Sequence, residues 1–143
     1  MVHINYPAVL VAGVAAWIVG FVWYSPILYG NAWMKIMGAD KLDEATVEKM
    51  RKEGTIYIVI IFFASLLGAY VLARFIGWLG MTTAVGGMRV AFLAWLGFAV
   101  PGSLGDAMFS GKDKSLIWPM ALIRIGHYLV SFLVVGAIIG AWA

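Results

Sequence analysis

Three ionisable side chains stand inside stretches otherwise made of hydrocarbon. They are Asp106, Arg124 and His127, carried by the segment PGSLGDAMFSGKDKSLIWPMALIRIGHYLVS from Pro101 to Ser131. A charge at bilayer depth costs about 2.5–3.5 kcal/mol on insertion scales, so such residues pair with one another or serve a ligand, an ion or a proton. The spacing supplies partners. Arg124, His127 and Tyr128 lie three to four apart and Ser131 stands four beyond His127, which makes one helix face polar for about two turns. From that face an arginine can snorkel back across a short loop toward Asp106. Three uses fit these residue types. An Asp106–Arg124 ion pair can lock the hairpin, with His127 hydrogen-bonded inside the bundle. A carboxylate and an imidazole beside a fixed charge can relay protons or ions. Arg124 can also hold an anion or a lipid headgroup. Bond-making chemistry is not expected, because one membrane histidine with one membrane carboxylate forms no triad and the sequence has no HExxH, GxSxG or P-loop pattern. No metal or cofactor is expected either, since the second histidine, His3, lies far off at the start of the chain.

The elements that must position these residues follow from composition. Of 143 residues, 64% are hydrophobic and 12% charged; soluble domains carry about 25% charged residues. The reading is an all-α, four-transmembrane-helix bundle in a single membrane domain, with spans over about 8–25, 55–77, 89–109 and 116–142. The chain has no cysteine, which excludes disulfides and thiolate metal sites. The first span is read as retained, because it lacks the basic n-region and small-residue cleavage site of a signal peptide. Pro26 then kinks it or starts a new helix, with Ser25 available as N-cap. Residues 27–37 look amphipathic, Gly38 ends them, and Lys35 to Glu53 hold five acids and five bases. A short cytoplasmic surface helix is expected there, with a Glu48–Lys52 pair and with Leu42, Val47 and Met50 on one face.

Small residues mark the helix contacts. Ala12, Ala16 and Gly20 repeat in the first span, Ser65, Ala69, Ala73 and Gly77 in the second, and Gly136 and Gly140 in the fourth. Gly77 to Gly87 read as a connection, and Pro101-Gly102 reads as either a packing kink or a broken helix lining a site. Arg74 is close enough to the end of its span to snorkel.

Seven bases fall in the first and third loops and two at the margins of the second, so the first and third loops are expected in the cytoplasm of a cell-membrane protein, with both termini on the non-cytoplasmic side. No basic, aromatic-interleaved patch points to nucleic acid. The several small-residue faces point to a homo-oligomer in the lipid bilayer. The two halves also allow a parallel repeat of hairpins: Ala16-Trp17 and Gly20-Phe21 match Ala94-Trp95 and Gly97-Phe98, while Pro26, Gly30, Asn31 and Ala32 match Pro101, Gly105, Asp106 and Ala107. That alignment sets Asn31 at the depth of Asp106 and adds it to the candidate site of Asp106, Arg124, His127, Tyr128 and Ser131.

The stretches GFVWYSPILYGNAWMKIMG, WLGFAVPGSLGDAMFSG and GHYLVSFLVVGAIIG, above all Trp23 to Pro26 and His127 with Ser131, resemble a family of small four-span membrane proteins defined as a domain of unknown function. The resemblance covers nearly the whole chain. It implies a four-helix multi-pass protein, with an asparagine-like residue where Asp106 stands, and no activity, substrate or catalytic residue. Two functional readings follow from the residues: a transporter-like, channel-like or ligand-binding protein using the polar cluster, or a structural or accessory subunit whose polar residues fix helix register.

Overall fold

In a computed structural model, which describes residues 3–143, the chain is helical throughout, with no strand among the described residues. The helices are α1 (Tyr6–Trp23), α2 (Gly30–Met37), α3 (Glu44–Glu53), α4 (Thr55–Trp78), α5 (Ala84–Ala94), α6 (Val100–Met108) and α7 (Lys114–Ala141). A five-residue π turn, Trp95–Ala99, joins α5 to α6 into one continuous rod. Four helical rods among the described residues are long and apolar enough to cross a membrane: α1, α4, α5–α6 and α7.

Local chemistry sets the boundaries. Asn5 caps α1, its side chain accepting from the Ala8 N–H at 3.1 Å, and Pro7 sits in the first turn, where a missing N–H costs nothing. Ser25 does not cap a new helix, as its place before Pro26 suggests. Its hydroxyl donates to the Val22 carbonyl at 2.7 Å and closes the end of α1, and the next helix begins only at Gly30. Gly38 ends α2 in the left-handed region at φ 73°, where a side chain is disfavoured. In α3, Glu48 pairs with Arg51 at 2.8 Å rather than with Lys52, and Lys49 pairs with Glu53 at 3.8 Å. The Thr46 hydroxyl donates to the Asp43 carboxylate and holds it below its ordinary range. Leu42, Val47 and Met50 are all exposed, so the apolar face of this segment is not buried in a core.

The third rod starts earlier than the glycines suggest. Thr83 caps it by accepting from the Gly86 N–H at 3.0 Å, so Gly86 and Gly87 belong to the helix and not to the connection. Nor is the helix broken at Pro101-Gly102. The π turn shifts the pattern, the Val100 N–H donating to the Trp95 carbonyl, and the widened turn admits a proline ring that would otherwise strike the carbonyl one turn back.

Small residues decide the packing. A methyl group on Gly13 would stand 3.0 Å from the Leu66 Cα, and the Trp17 and Phe62 rings meet edge to face at 5.5 Å, so α1 and α4 run antiparallel. On the other side of the bundle α5 and α7 touch backbone to backbone. A Cβ on Gly87 would collide with the Gly136 carbonyl, and one on Gly136 would lie 2.6 Å from the Ala91 Cβ. α7 also meets α1, where Gly20 faces His127 and Gly126 faces the Trp23 ring. It is therefore the shared post of both hairpins. One apolar core, including Ala12, Ala73, Ile76, Val90, Val135 and Ile139, joins all four rods; a second, around Ile36, Ala107, Met120 and Ile123, joins α2, α6 and α7 at the end that carries the charged loops. The first half of α4, Ile56 to Ile61, lies outside both.

These contacts give a prediction about stability in detergent. Gly87→Leu or Gly136→Leu forces the α5 and α7 backbones apart and should destabilise the bundle by about 1–3 kcal/mol or abolish folding. Gly68→Ala, at an open position in α4, should stabilise by about 0.5–1 kcal/mol. Thermal melts of the three variants measure both effects.

Candidate functional site

The polar groups singled out in the sequence sort into two contacts along one face of α7. The Arg124 guanidinium donates to the Asp106 carboxylate at 3.0 Å. The arginine lies ten residues into α7 and the aspartate two from the end of α6, yet they meet. Helical side chains lean toward their own N-terminus, which is the direction from Arg124 toward the loop. Asp106 remains 70% exposed while Arg124 is only 26% exposed, so the carboxylate faces the surroundings and the arginine stands behind it. The guanidinium also lies over the Trp33 ring of α2, 5.4 Å from its centroid.

One turn deeper, His127 Nε2 and the Ser131 hydroxyl are 3.3 Å apart and share a hydrogen bond. Three rings surround the imidazole. Tyr24 and Tyr128 lie at 5.2 and 5.1 Å between centroids and Trp23 at 6.3 Å. Gly20 opposes it on α1, where a methyl group would come within 3.4 Å of Nε2. Tyr24 bridges the two contacts, since its ring also meets Trp33 edge to face at 5.2 Å. Asp106, Arg124, Trp33, Tyr24, His127 and Ser131 thus form a continuous polar and aromatic column. It runs from the charged end of the bundle toward its middle.

Asn31 stands apart from this column. It is exposed on the first turn of α2 and makes no side-chain hydrogen bond among the described residues. The two prolines explain the separation. After Pro26 the chain turns twice before α2 begins, whereas at Pro101 the helix continues, so residues matched in sequence leave the bundle along different paths. No group of three metal-ligating side chains occurs among the described residues.

Several residues of the site escaped the sequence reading. The Trp23 indole donates to the Ile123 carbonyl and the Trp95 indole to the Ile125 carbonyl, each at 3.0 Å, so two tryptophans pin α7 on either side of Arg124. The available signal was position, because Trp95 falls in the middle of its span, away from the interfacial belts where tryptophan collects. Ser103 Oγ and Trp17 Nε1 are buried without a hydrogen-bond partner among the described residues.

Because Asp106 is largely exposed at a helix end, its ion pair behaves as a surface pair and not as a buried lock. A double-mutant cycle with Asp106→Asn and Arg124→Gln, read by thermal or denaturant unfolding, should return a coupling below about 1 kcal/mol. A coupling of several kcal/mol would make the pair a structural lock.

Among curated proteins and among solved structures, nothing matches the chain. Residues 7–140 match the family described as Protein of unknown function (DUF1761). That span takes in all four membrane rods but for the final residue of α7 and Tyr6 of α1, together with every residue of the column. The chain therefore belongs to the DUF1761 family, in agreement with the four-span architecture that its sequence motifs resemble.

Proposed function

We propose that this protein is a transporter-like or ligand-binding membrane protein, not an enzyme, and that the column on α7 is the path by which a small ion, proton or anion reaches His127. One observation carries the reading: the contact series that begins at an exposed carboxylate and ends at an imidazole enclosed by aromatic rings. An imidazole enclosed by rings at this depth would pack better as leucine if only register were needed. Arg124 supplies a fixed positive charge beside the path, with Tyr24, Tyr128 and Ser131 as hydroxyl groups that can pass a proton or bind a solute. The test is flux in proteoliposomes. Asp106→Asn and His127→Ala should each lower pH-dependent flux by about tenfold or more while leaving the melting temperature within a few degrees of the parent. Unchanged flux in both variants would sink the reading.

A second reading, a structural or accessory subunit, is favoured by the Trp23 and Trp95 hydrogen bonds, which fix α7 in place. Under it the same two substitutions shift melting or assembly alone. The open glycines Gly68, Gly97 and Gly102 leave small-residue surface on which a second copy can pack, which supports a homo-oligomer whose mass native mass spectrometry would report.

The same proposal orients the protein. Charged loops gather at one end, with Lys112 and Lys114 beside the loop that holds Lys41, Lys49, Arg51 and Lys52, and this supports placing that end in the cytoplasm. As the chain has no cysteine, single-cysteine variants are clean reporters. Asp40→Cys in intact cells should resist an impermeant maleimide and Thr82→Cys should react; the reverse pattern inverts the topology.

A further inference from the structure

The end of the bundle away from the charged loops carries a groove of about 540 Å³, walled by His3, Ile4, Asn5, Tyr6, Pro7 and Arg74. Arg74 lies one turn before the end of α4, with its guanidinium over the Trp78 ring, 5.2 Å from the centroid. Stacking on an indole holds the guanidinium plane and leaves its N–H edge available. Among the described residues no side chain takes up that edge. Among the described residues the ion pairs are Lys49 with Glu53, Arg51 with Glu48 and Arg124 with Asp106, and no hydrogen bond from Arg74 occurs. All seven side-chain carboxylates lie within residues 40–53 or at 106 and 113, at the opposite end of a bundle about 30 Å long. That separation is several Debye lengths at physiological salt. Asn5 is already committed, its oxygen to the Ala8 N–H and its amide to the Trp142 carbonyl at 2.9 Å, so it fixes the groove wall by tying the start of α1 to the end of α7. Among the described residues the Arg74 guanidinium therefore has no side-chain counter-ion, and a ligand from outside can supply one.

We propose that this groove binds the phosphate of an anionic phospholipid headgroup, with the Arg74 guanidinium as its bidentate contact. A planar fork of donors matches phosphate oxygens. The groove is wide and open, so a headgroup lying on the surface of the bundle can reach the guanidinium. Tyr6 and Trp78 are both exposed at this end, as amphipathic rings at headgroup level are, which puts the groove within reach of a lipid headgroup. The site is separate from the column on α7 and stands or falls without it.

Native mass spectrometry of the protein in mild detergent, supplied with phosphatidylglycerol or phosphatidylcholine, tests the assignment. One phosphatidylglycerol should be retained, in preference to phosphatidylcholine. Retention should fall about tenfold or more, equivalent to a tenfold change in Kd, in Arg74→Gln, and should persist in Arg89→Gln, which removes the other arginine at that end. Equal retention by Arg74→Gln, or an equal loss in Arg89→Gln, would overturn the site. Displacement of the lipid by millimolar inorganic phosphate would overturn the headgroup assignment and make the groove a soluble-anion site. If the glutamine variant does not fold, Arg74→Lys keeps the charge without the fork. Several-fold weaker retention in that variant supports a guanidinium contact, and unchanged retention overturns it.

Discussion

The contact of α5 with α7 at Gly87, Gly136 and Gly140 is the constraint from which the rest of the bundle takes its shape. No hydrophobic effect drives two helices together in hydrocarbon, because lipid tails are as apolar as leucine; dispersion between closely packed atoms has to do it. Close approach needs missing side chains. Here Gly140 meets both the Thr83 carbonyl and Gly87, and Gly136 meets Gly87 and Ala91, so the two backbones share a surface over a full turn or more. Once α5 is seated, α7 becomes the post on which α1 leans from the other side, through Gly20 against His127 and Trp23 against Gly126.

That arrangement explains how a polar face survives in the membrane. A polar group in hydrocarbon must find its partner inside the protein. Arg124 is held between Asp106 and the Trp33 ring, and His127 between Ser131 and three aromatic rings, so neither projects into lipid alone. The indole donors of Trp23 and Trp95 reach carbonyls two residues apart on the same helix and set its rotation from both flanks. Rotation matters more than position for such a face. A helix turned by one residue, about 100°, would carry Arg124 and His127 away from their partners.

The four spans, the charged surface helix and the Asp106–Arg124 contact were legible in the sequence, because each rests on a local rule: hydrocarbon length, charge clustering and side-chain reach along a helix. The failures share a cause as well. Gly86 and Gly87 read as a loop because glycine is the usual turn residue, and only the tertiary contact with Gly136 and Gly140 shows why a helix would keep them. Pro101 read as a possible break because proline removes a donor, yet the π turn from Trp95 accommodates it within an unbroken rod. Asn31 was placed by analogy with Asp106, and the analogy failed at the prolines, where two similar sequences follow different backbones. The Trp23 and Trp95 hydrogen bonds join residues 100 and 30 positions apart, beyond anything periodicity can reveal.

The column on α7 has an exposed polar group, Asp106, at its charged end and runs into the core at the other, which bears on how the proposed transport would proceed. Beyond Ser131 the same helix turns apolar, with Val135 and Ile139 buried in the core that joins all four rods. A solute that reached His127 would meet that core, so passage requires a rod to move. The glycine contact argues against moving α5, and the tryptophan pins argue against moving α7. α4 is the remaining candidate. It contributes Ala69, Leu72, Ala73 and Ile76 to the core from its second half, while Ile56 to Ile61 in the first half are exposed and lie outside that core. Against α1 it is seated where Leu66 closes on Gly13 and the Phe62 ring meets Trp17, so its motion has to pivot about that seam. Under the transport proposal, displacement of that half about the seam would open the apolar part of the bundle. The transport cycle proposed above would then be a pivot of α4 against a unit of α1, α5, α6 and α7.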